Sequence, residues 1–298
     1  NIIKRFIYIL TQMIFRHFQT IFFKLLYFLL ALLEKILKRN ILLRFKEFLD
    51  KKSYSVKTIC QKKITFFTPN ELIKWRVDTI FDKEPETIEW INEFENDSIF
   101  WDIGSNIGLY SIYAAIKKDD IKVCSFEPST SNLRTLSRNI SINNLQQKIN
   151  IIPFAISNLE NKFLLLREKN FTEGGALNAF GVDYDFSGKK FDFSNSYITF
   201  GTNLDSLVKK KILETPNYIK IDVDGIEELI LDGSKNILVN KNLKSILIEI
   251  NDKFEIQKNK IIQNLKNNEF ELVIKKRNEN YYKGNFEGIY NYIFRRIN

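Results

Sequence analysis

An α/β fold, a mostly parallel sheet covered by helices, is predicted by two features of the sequence. Short β-branched runs alternate with helical patterns through most of the chain, as expected when strands are buried on both faces and joined by helical crossovers. A strand also passes into a helix through a glycine turn in "IFWDIGSNIGLYSIYAA", a junction that open parallel sheets use for binding. With 298 residues, 44% apolar, the chain is long enough to bury one large core.

The first element is a helix over Ile2 to Arg39. Lys4, Tyr8, Gln12, Arg16, Thr20, Lys24, Tyr27, Ala31, Lys35 and Lys38 recur every three or four residues as a narrow, mostly polar stripe on an apolar surface. The apolar run "LLYFLLALL" is too short to span a bilayer, and Lys24 and Glu34 close it. The first fifty residues hold nine Lys/Arg against three acidic residues, net +6, whereas the remaining 248 hold 36 against 33, net +3. Basicity therefore belongs mainly to the N-terminal segment, and the nearly neutral body has no charge signature for nucleic acid. A basic helix of this kind is expected to lie on an anionic membrane surface or to cover the body or a second subunit as a homodimer contact. No small-residue cleavage site follows the apolar run, which argues against a secretory leader; the sequence starts at Asn1 rather than at a methionine. Cys60 and Cys124 are isolated, so a reducing compartment is expected. The prediction is a cytoplasmic protein, at the membrane face if the helix binds lipid.

A polar, linker-like stretch from Lys51 to Lys63 separates this segment (1–50) from the body (64–298). Strands are expected at Ile99–Ile103, Lys122–Glu127, Asn150–Ala155, Tyr218–Asp222 and Ser245–Ile250, with two more near Phe270–Lys275 and Tyr290–Arg296. "EPSTSNL" starts a helix over Ser129–Asn143. From Asn161 to Gly201 the alternation gives way to a glycine- and aromatic-rich stretch, read as a lid or binding loop.

The glycine turn reads D-x-G-x-N-x-G: Asp102, Gly104, Asn106 and Gly108. Glycine admits positive φ and close backbone approach, and asparagine is the next most willing residue. Glu127 ends the second strand nineteen residues later, where a carboxylate can accept both hydroxyls of a ribose. A dinucleotide site would need G-x-G-x-x-G, and this spacing differs. It is instead similar to the first motif of class I methyltransferases, which bind S-adenosylmethionine. A nicotinamide- or nucleotide-sugar-dependent enzyme and a non-catalytic nucleotide-binding module stay open as alternatives.

The body's candidates for proton transfer are Asp222 and Asp224 in "KIDVDGIEE", because the only histidine, His17, lies in the N-terminal helix. Residues two apart on a strand share a face, so one carboxylate would act as base while the other orients the acceptor. The alternative has Asp224 capping the next helix. No metal is predicted, and the one place for a divalent cation is this pair with Glu249.

Six ordered stretches resemble the FkbM family of methyltransferases across about Phe66 to Arg296: "TPNELIKWRVDTIFDKEPETIEWI", "FWDIGSNIGLYSIYAA", "SFEPSTSNLRTLSRNI", "GGALNAFGVDY", "YIKIDVDGIEELILDGS" and "ILIEIND". Asn106, where many class I enzymes have a second glycine, is typical of this family, and Ser105 is a mild departure. The resemblance implies a seven-stranded Rossmann-like sheet flanked by helices and methyl transfer from S-adenosylmethionine, commonly to oxygen, on a small-molecule or glycan acceptor. It implies a cofactor seat of Asp102, Gly104, Ser105, Asn106, Gly108, Glu127, Pro128 and Ala155. Gly174, Gly175 and Asn178 on the insertion, and Glu249, Asn251 and Asp252 in "EIND", are candidates for the acceptor side. Trp75, Arg76, Glu84 and Glu86 belong to the block ahead of the first strand, beside the site or as a structural cap.

Overall fold

Aromatic and β-branched residues of β3 (Ile99–Ile103) send alternate side chains to two different cores. In the computed structural model, which describes residues 2–297 and the side chains of 11 and 13–297, Phe100 packs among Trp90, Ile112 and Leu136, whereas Trp101 packs among Leu204, Ile230 and Ile261. The chain divides after Tyr54 into two units.

The first unit is α1 (Ile2–Leu37) and α2 (Ile41–Asp50). The helix expected to reach Arg39 breaks at Lys38, whose φ is +49°, and Glu34 Oε2 accepts the Leu42 amide at 3.0 Å. The stripe positions Lys4, Tyr8 and Gln12 lie outside the described side chains. No helix among the described residues is long and apolar enough to cross a membrane.

The second unit opens with β1 (Tyr54–Ile59) and β2 (Lys62–Phe67), where the sequence suggested a linker. Polar residues in "YSVKTICQKKITFF" mask the alternation: Ile59, Ile64, Phe66 and Phe67 are buried. The two-residue connection is Cys60 and Gln61, both at positive φ (+49° and +65°), the requirement of a type I′ turn.

After α3 (Glu71–Asp78) and α4 (Pro85–Asn92), the chain runs through β3, α5 (Leu109–Lys117), β4 (Lys122–Phe126), α6 (Thr130–Ile142) and β5 (Ile149–Ile152). It then crosses back through β6 (Ala155–Ile156), β7 (Lys162–Glu168), β8 (Asn178–Phe180), β9 (Asn195–Thr202) and α7 (Leu204–Lys209) to β10 (Tyr218–Ile221). The remainder is α8 (Glu227–Asp232), α9 (Lys235–Val239), β11 (Ser245–Asn251), α10 (Glu255–Asn267), β12 (Phe270–Lys276) and β13 (Ile289–Arg296). The seven-stranded sheet has the order β12-β13-β11-β10-β3-β4-β5. Its strands from β5 to β11 are parallel, and β13 is antiparallel to both neighbours. The expected strand Asn150–Ala155 is split, since β6 joins β9, β7 and β8 in a second sheet. The insertion expected to be irregular is thus built largely on antiparallel strands, with loops at 169–177 and 181–194. Order reverses between β3 and β10, so their carboxyl ends form the crevice where ligands bind in such sheets.

The hairpin generates a prediction. Asn-Gly is the pair best suited to two left-handed residues, so the double change Cys60→Asn, Gln61→Gly is expected to stabilise the fold by about 1 kcal/mol. A raised urea midpoint in equilibrium unfolding would report it; a lowered one contradicts the turn assignment.

Candidate active site

The crevice is closed at its base by backbone. Gly104 and Ser105 both donate their amides to the Phe126 carbonyl at 3.0 Å, and the Asp222 amide reaches Ile103 O at 3.0 Å. Gly104 has φ +84°, and a Cβ there would stand 1.9 Å from Asp222 O, which is why the position requires glycine. Gly108, also at +84°, begins α5. Asn106 lies between them at +52°. Its amide donates to Glu127 Oε2 at 2.8 Å, and the other carboxylate oxygen, Oε1, accepts the Ser129 amide at 2.8 Å. Burial pushes the Glu127 carboxyl up to about 8 against these two amides.

Asn106 also reaches out of the turn. Its Nδ2 donates to Gly175 O at 2.7 Å, and Asn132 grips the same segment through Gly174 N (2.8 Å) and Gly175 O (3.1 Å). Arg76 Nε donates to Gly174 O at 2.7 Å, and Asn70 Nδ2 to Glu173 O at 3.0 Å. Residues 173–178 are thereby clasped over a cavity of about 490 Å³. Asp224 completes the clasp, its Oδ2 accepting the Leu177 and Asn178 amides at 2.7 and 3.3 Å.

The far end of the cavity is charged. Lys220, in the middle of β10, is 1% exposed, and its ammonium donates to Asp222 Oδ2 at 2.6 Å. Burial lowers its pKa, but Asp222, Glu84 and Asp102 outweigh that and hold the ammonium protonated. Lys83 pairs with Glu84 at 2.6 Å. Tyr282 OH donates to Glu84 Oε1 and Glu249 Oε1 at 3.2 and 3.3 Å. Carboxylate oxygens of Glu84, Asp222 and Glu249 lie within 4.8 Å of one another, close enough to hold a divalent cation, with Lys83 and Lys220 already supplying positive charge. Burial, then the charge of Asp222, drives the Glu249 carboxyl well above its ordinary range. Burial and Asp222 likewise raise Asp224 to about 6.

The family model for the methyltransferase FkbM domain matches residues 102–272, from the turn to β12. The chain belongs to the FkbM methyltransferase family. The match is to a methyltransferase domain, not to a dinucleotide-binding one. The hexuronic acid methyltransferase AglP of Haloferax volcanii is 25% identical over 177 residues, which cover 59% of this chain. The chain spans 65% of the length of that relative. Two solved structures are similar at a lower level. Precorrin-6y C5,15-methyltransferase of Geobacter metallireducens shares 14% identity, over 72% of this chain and 87% of that one, with a TM-score of 0.42. TrmK of M. capricolum, solved with S-adenosyl-homocysteine, shares 13% over 70% and 67%, with a TM-score of 0.40.

The lining of the cavity is chemically compatible with S-adenosylmethionine, the cofactor that the FkbM family implies. Glu127 lines it with two carboxylate oxygens, each holding one backbone amide, and a carboxylate accepts about four hydrogen bonds. Asn106 lines it as well, and its Oδ1 is buried without a partner.

Of the residues predicted from sequence, Gly104, Asn106, Glu127, Pro128, Ala155, Gly175, Asn178, Asp222, Asp224 and Glu249 line the cavity. Asp102, Ser105 and Gly108 stand behind that wall. Asp102 accepts from Ser111 at 2.6 Å, and the Ser105 hydroxyl donates to Phe126 O at 3.3 Å. Asn251 is a correction: its Nδ2 donates to Phe186 O and its Oδ1 accepts the Lys253 amide, so it shapes loops outside the lining. Asp252 likewise pairs with Lys275 at 2.5 Å and accepts a bond from Tyr292. Asp222 and Asp224 also do not share a strand face, since β10 ends at Ile221 and Asp224 has φ +65°, although both line the cavity. Nor does Asp224 cap α8; Glu227 takes the Val223 and Gly225 amides instead. Glu86 is fully buried and accepts from Asn291 Nδ2 at 2.7 Å, a structural role. Sequence reasoning missed Lys83, Tyr282 and Lys220. Only Lys220 carried a signal, a lysine inside an apolar strand.

Proposed function

We propose that the chain transfers a methyl group from S-adenosylmethionine to a hydroxyl oxygen of a sugar, a glycolipid or another small molecule. The observation that carries the reading is the polarity of one cavity. Phe154, Ala155 and Pro128 lie with Glu127 among its lining, and Asp222, Glu249 and Lys83, with the Tyr282 hydroxyl, supply its polar part. In this reading Glu127 receives the ribose hydroxyls, and the apolar residues beside it receive the adenine. The similarity to a hexuronic acid methyltransferase supports a sugar as acceptor.

The bound cofactor supplies an electrophilic methyl group on a sulfonium. The chain's task is to align an acceptor oxygen with it and to take the hydroxyl proton. Glu249 is the better base, since it lines the cavity beside Asp222 and burial raises its carboxylate's affinity for a proton. Asp222, fixed by Lys220, orients the hydroxyl. Asp224, occupied by two amides, is assigned to the clasp and not to proton transfer.

We also propose that α1 lies on an anionic membrane surface. Phe15, Phe18, Phe22 and Phe28 are each more than half exposed, in a segment carrying net charge +6.

Three outcomes are expected. Hydroxyls donated to Glu127 favour its ionised form, so binding releases a proton and S-adenosylhomocysteine affinity rises with pH up to about 8. Calorimetry should find that Glu127→Gln weakens binding and flattens this dependence; unchanged affinity would falsify the ribose assignment. With labelled S-adenosylmethionine and glycan extracts, methylated sugar is expected by mass spectrometry. Turnover should decline as falling pH protonates Glu249, and Glu249→Gln should lose about 10²- to 10⁴-fold in rate with S-adenosylhomocysteine binding intact. Finally, the chain should sediment with phosphatidylserine vesicles and be released by salt. A variant with the four phenylalanines changed to serine that sediments equally well would remove the membrane role.

A further inference from the structure

Trp75 on α3 and Tyr281 in the loop between β12 and β13 come from distant parts of the chain, yet their rings stand 6.2 Å apart at 53°. Both line the cavity. The Tyr281 loop is tied down, because Tyr281 N donates to Asn278 O at 3.0 Å and Asn278 Nδ2 donates to Asp82 O at 2.6 Å. Trp75 is 40% exposed, whereas Trp90 and Trp101, the other two tryptophans, are 2% and 0% exposed. Packing does not account for the indole: α3 is anchored by Ile73 and Val77 and capped by Asn70. A large aromatic left at the wall of a cavity with charged groups at one end marks a binding surface.

The chemistry of that surface selects its ligand. An aromatic face is apolar but carries negative π-density, and a pyranose ring presents a face of weakly positive C–H groups with hydroxyls around its edge. A ring lying on the Trp75 face, with the tilted Tyr281 ring flanking it, keeps those hydroxyls free for Asp222, Glu249 and Lys83 in the same cavity. We infer that Trp75 and Tyr281 form a stacking platform for a pyranose ring, which selects cyclic sugars over other hydroxyl compounds. The inference rests on the sugar acceptor proposed above.

Because Trp75 is the exposed tryptophan, acrylamide quenching of the full chain's fluorescence reports on it directly. Methyl β-D-glucopyranoside and methyl β-D-glucuronide serve as probes, with the open-chain polyol sorbitol as control. Protection by at least one pyranoside and none by sorbitol is expected. Trp75→Ala should weaken that probe's binding, read by saturation-transfer NMR, by about tenfold, and Trp75→Phe should largely restore it. No protection by either pyranoside, equal protection by sorbitol, or unchanged binding to Trp75→Ala overturns the platform. Quenching needs no turnover, and S-adenosylhomocysteine binding on the same sample tests methyl transfer separately, so the two failures are distinguishable.

Discussion

A protonated lysine buried in the central strand constrains the whole crevice. An ammonium withdrawn from water carries a penalty of several kcal/mol unless carboxylates surround it, and Lys220 is 1% exposed. Asp222 bonds it from the end of its own strand, while Asp102 and Glu84 act on it from β3 and from the segment before α4. Three separated blocks of sequence are thereby held around one charge. Glu84 in turn fixes Lys83 and receives Tyr282, so the charged end of the cavity is an extension of the shell that Lys220 requires.

The parts of the fold legible in the sequence were those governed by local periodicity. β3 was expected at its observed bounds, and five further sheet strands differ only slightly at their ends, because buried runs bounded by turn residues are distinctive, whereas the expected Asn150–Ala155 strand runs past β5 into β6 of the second sheet. The hairpin at Tyr54–Phe67 was missed because lysines on its exposed positions look like a linker, and neither Cys60 nor Gln61 advertises a left-handed turn. The insertion was misread because its strands pair with one another and with the short β6, a long-range arrangement that no local pattern encodes.

The site divides in the same way. Gly104, Asn106 and Glu127 were readable because a βα turn and the next strand end are related by topology alone. Lys83 and Tyr282 were not, since they approach Glu249 from the segment before α4 and the loop before β13, nearly two hundred residues apart. Asn106 was expected as part of the cofactor turn, but its side chain serves the clasp. One residue thus joins two hydrogen-bonded circuits, its amide to Glu127 and its carboxamide to Gly175.

The sheet order has a consequence for the birth of the protein. β13 is inserted between β11 and β12, pairing with both. Until Ile289–Arg296 has left the ribosome, β11 has one open edge and β12 has no partner in the sheet. Tyr292 and Phe294 are also missing from the core beneath α10. The strands β3 to β5, with the glycine turn, are synthesised earlier, but the sheet closes only after translation has passed β13, and nascent chains expose an unpaired edge of the kind that chaperones protect.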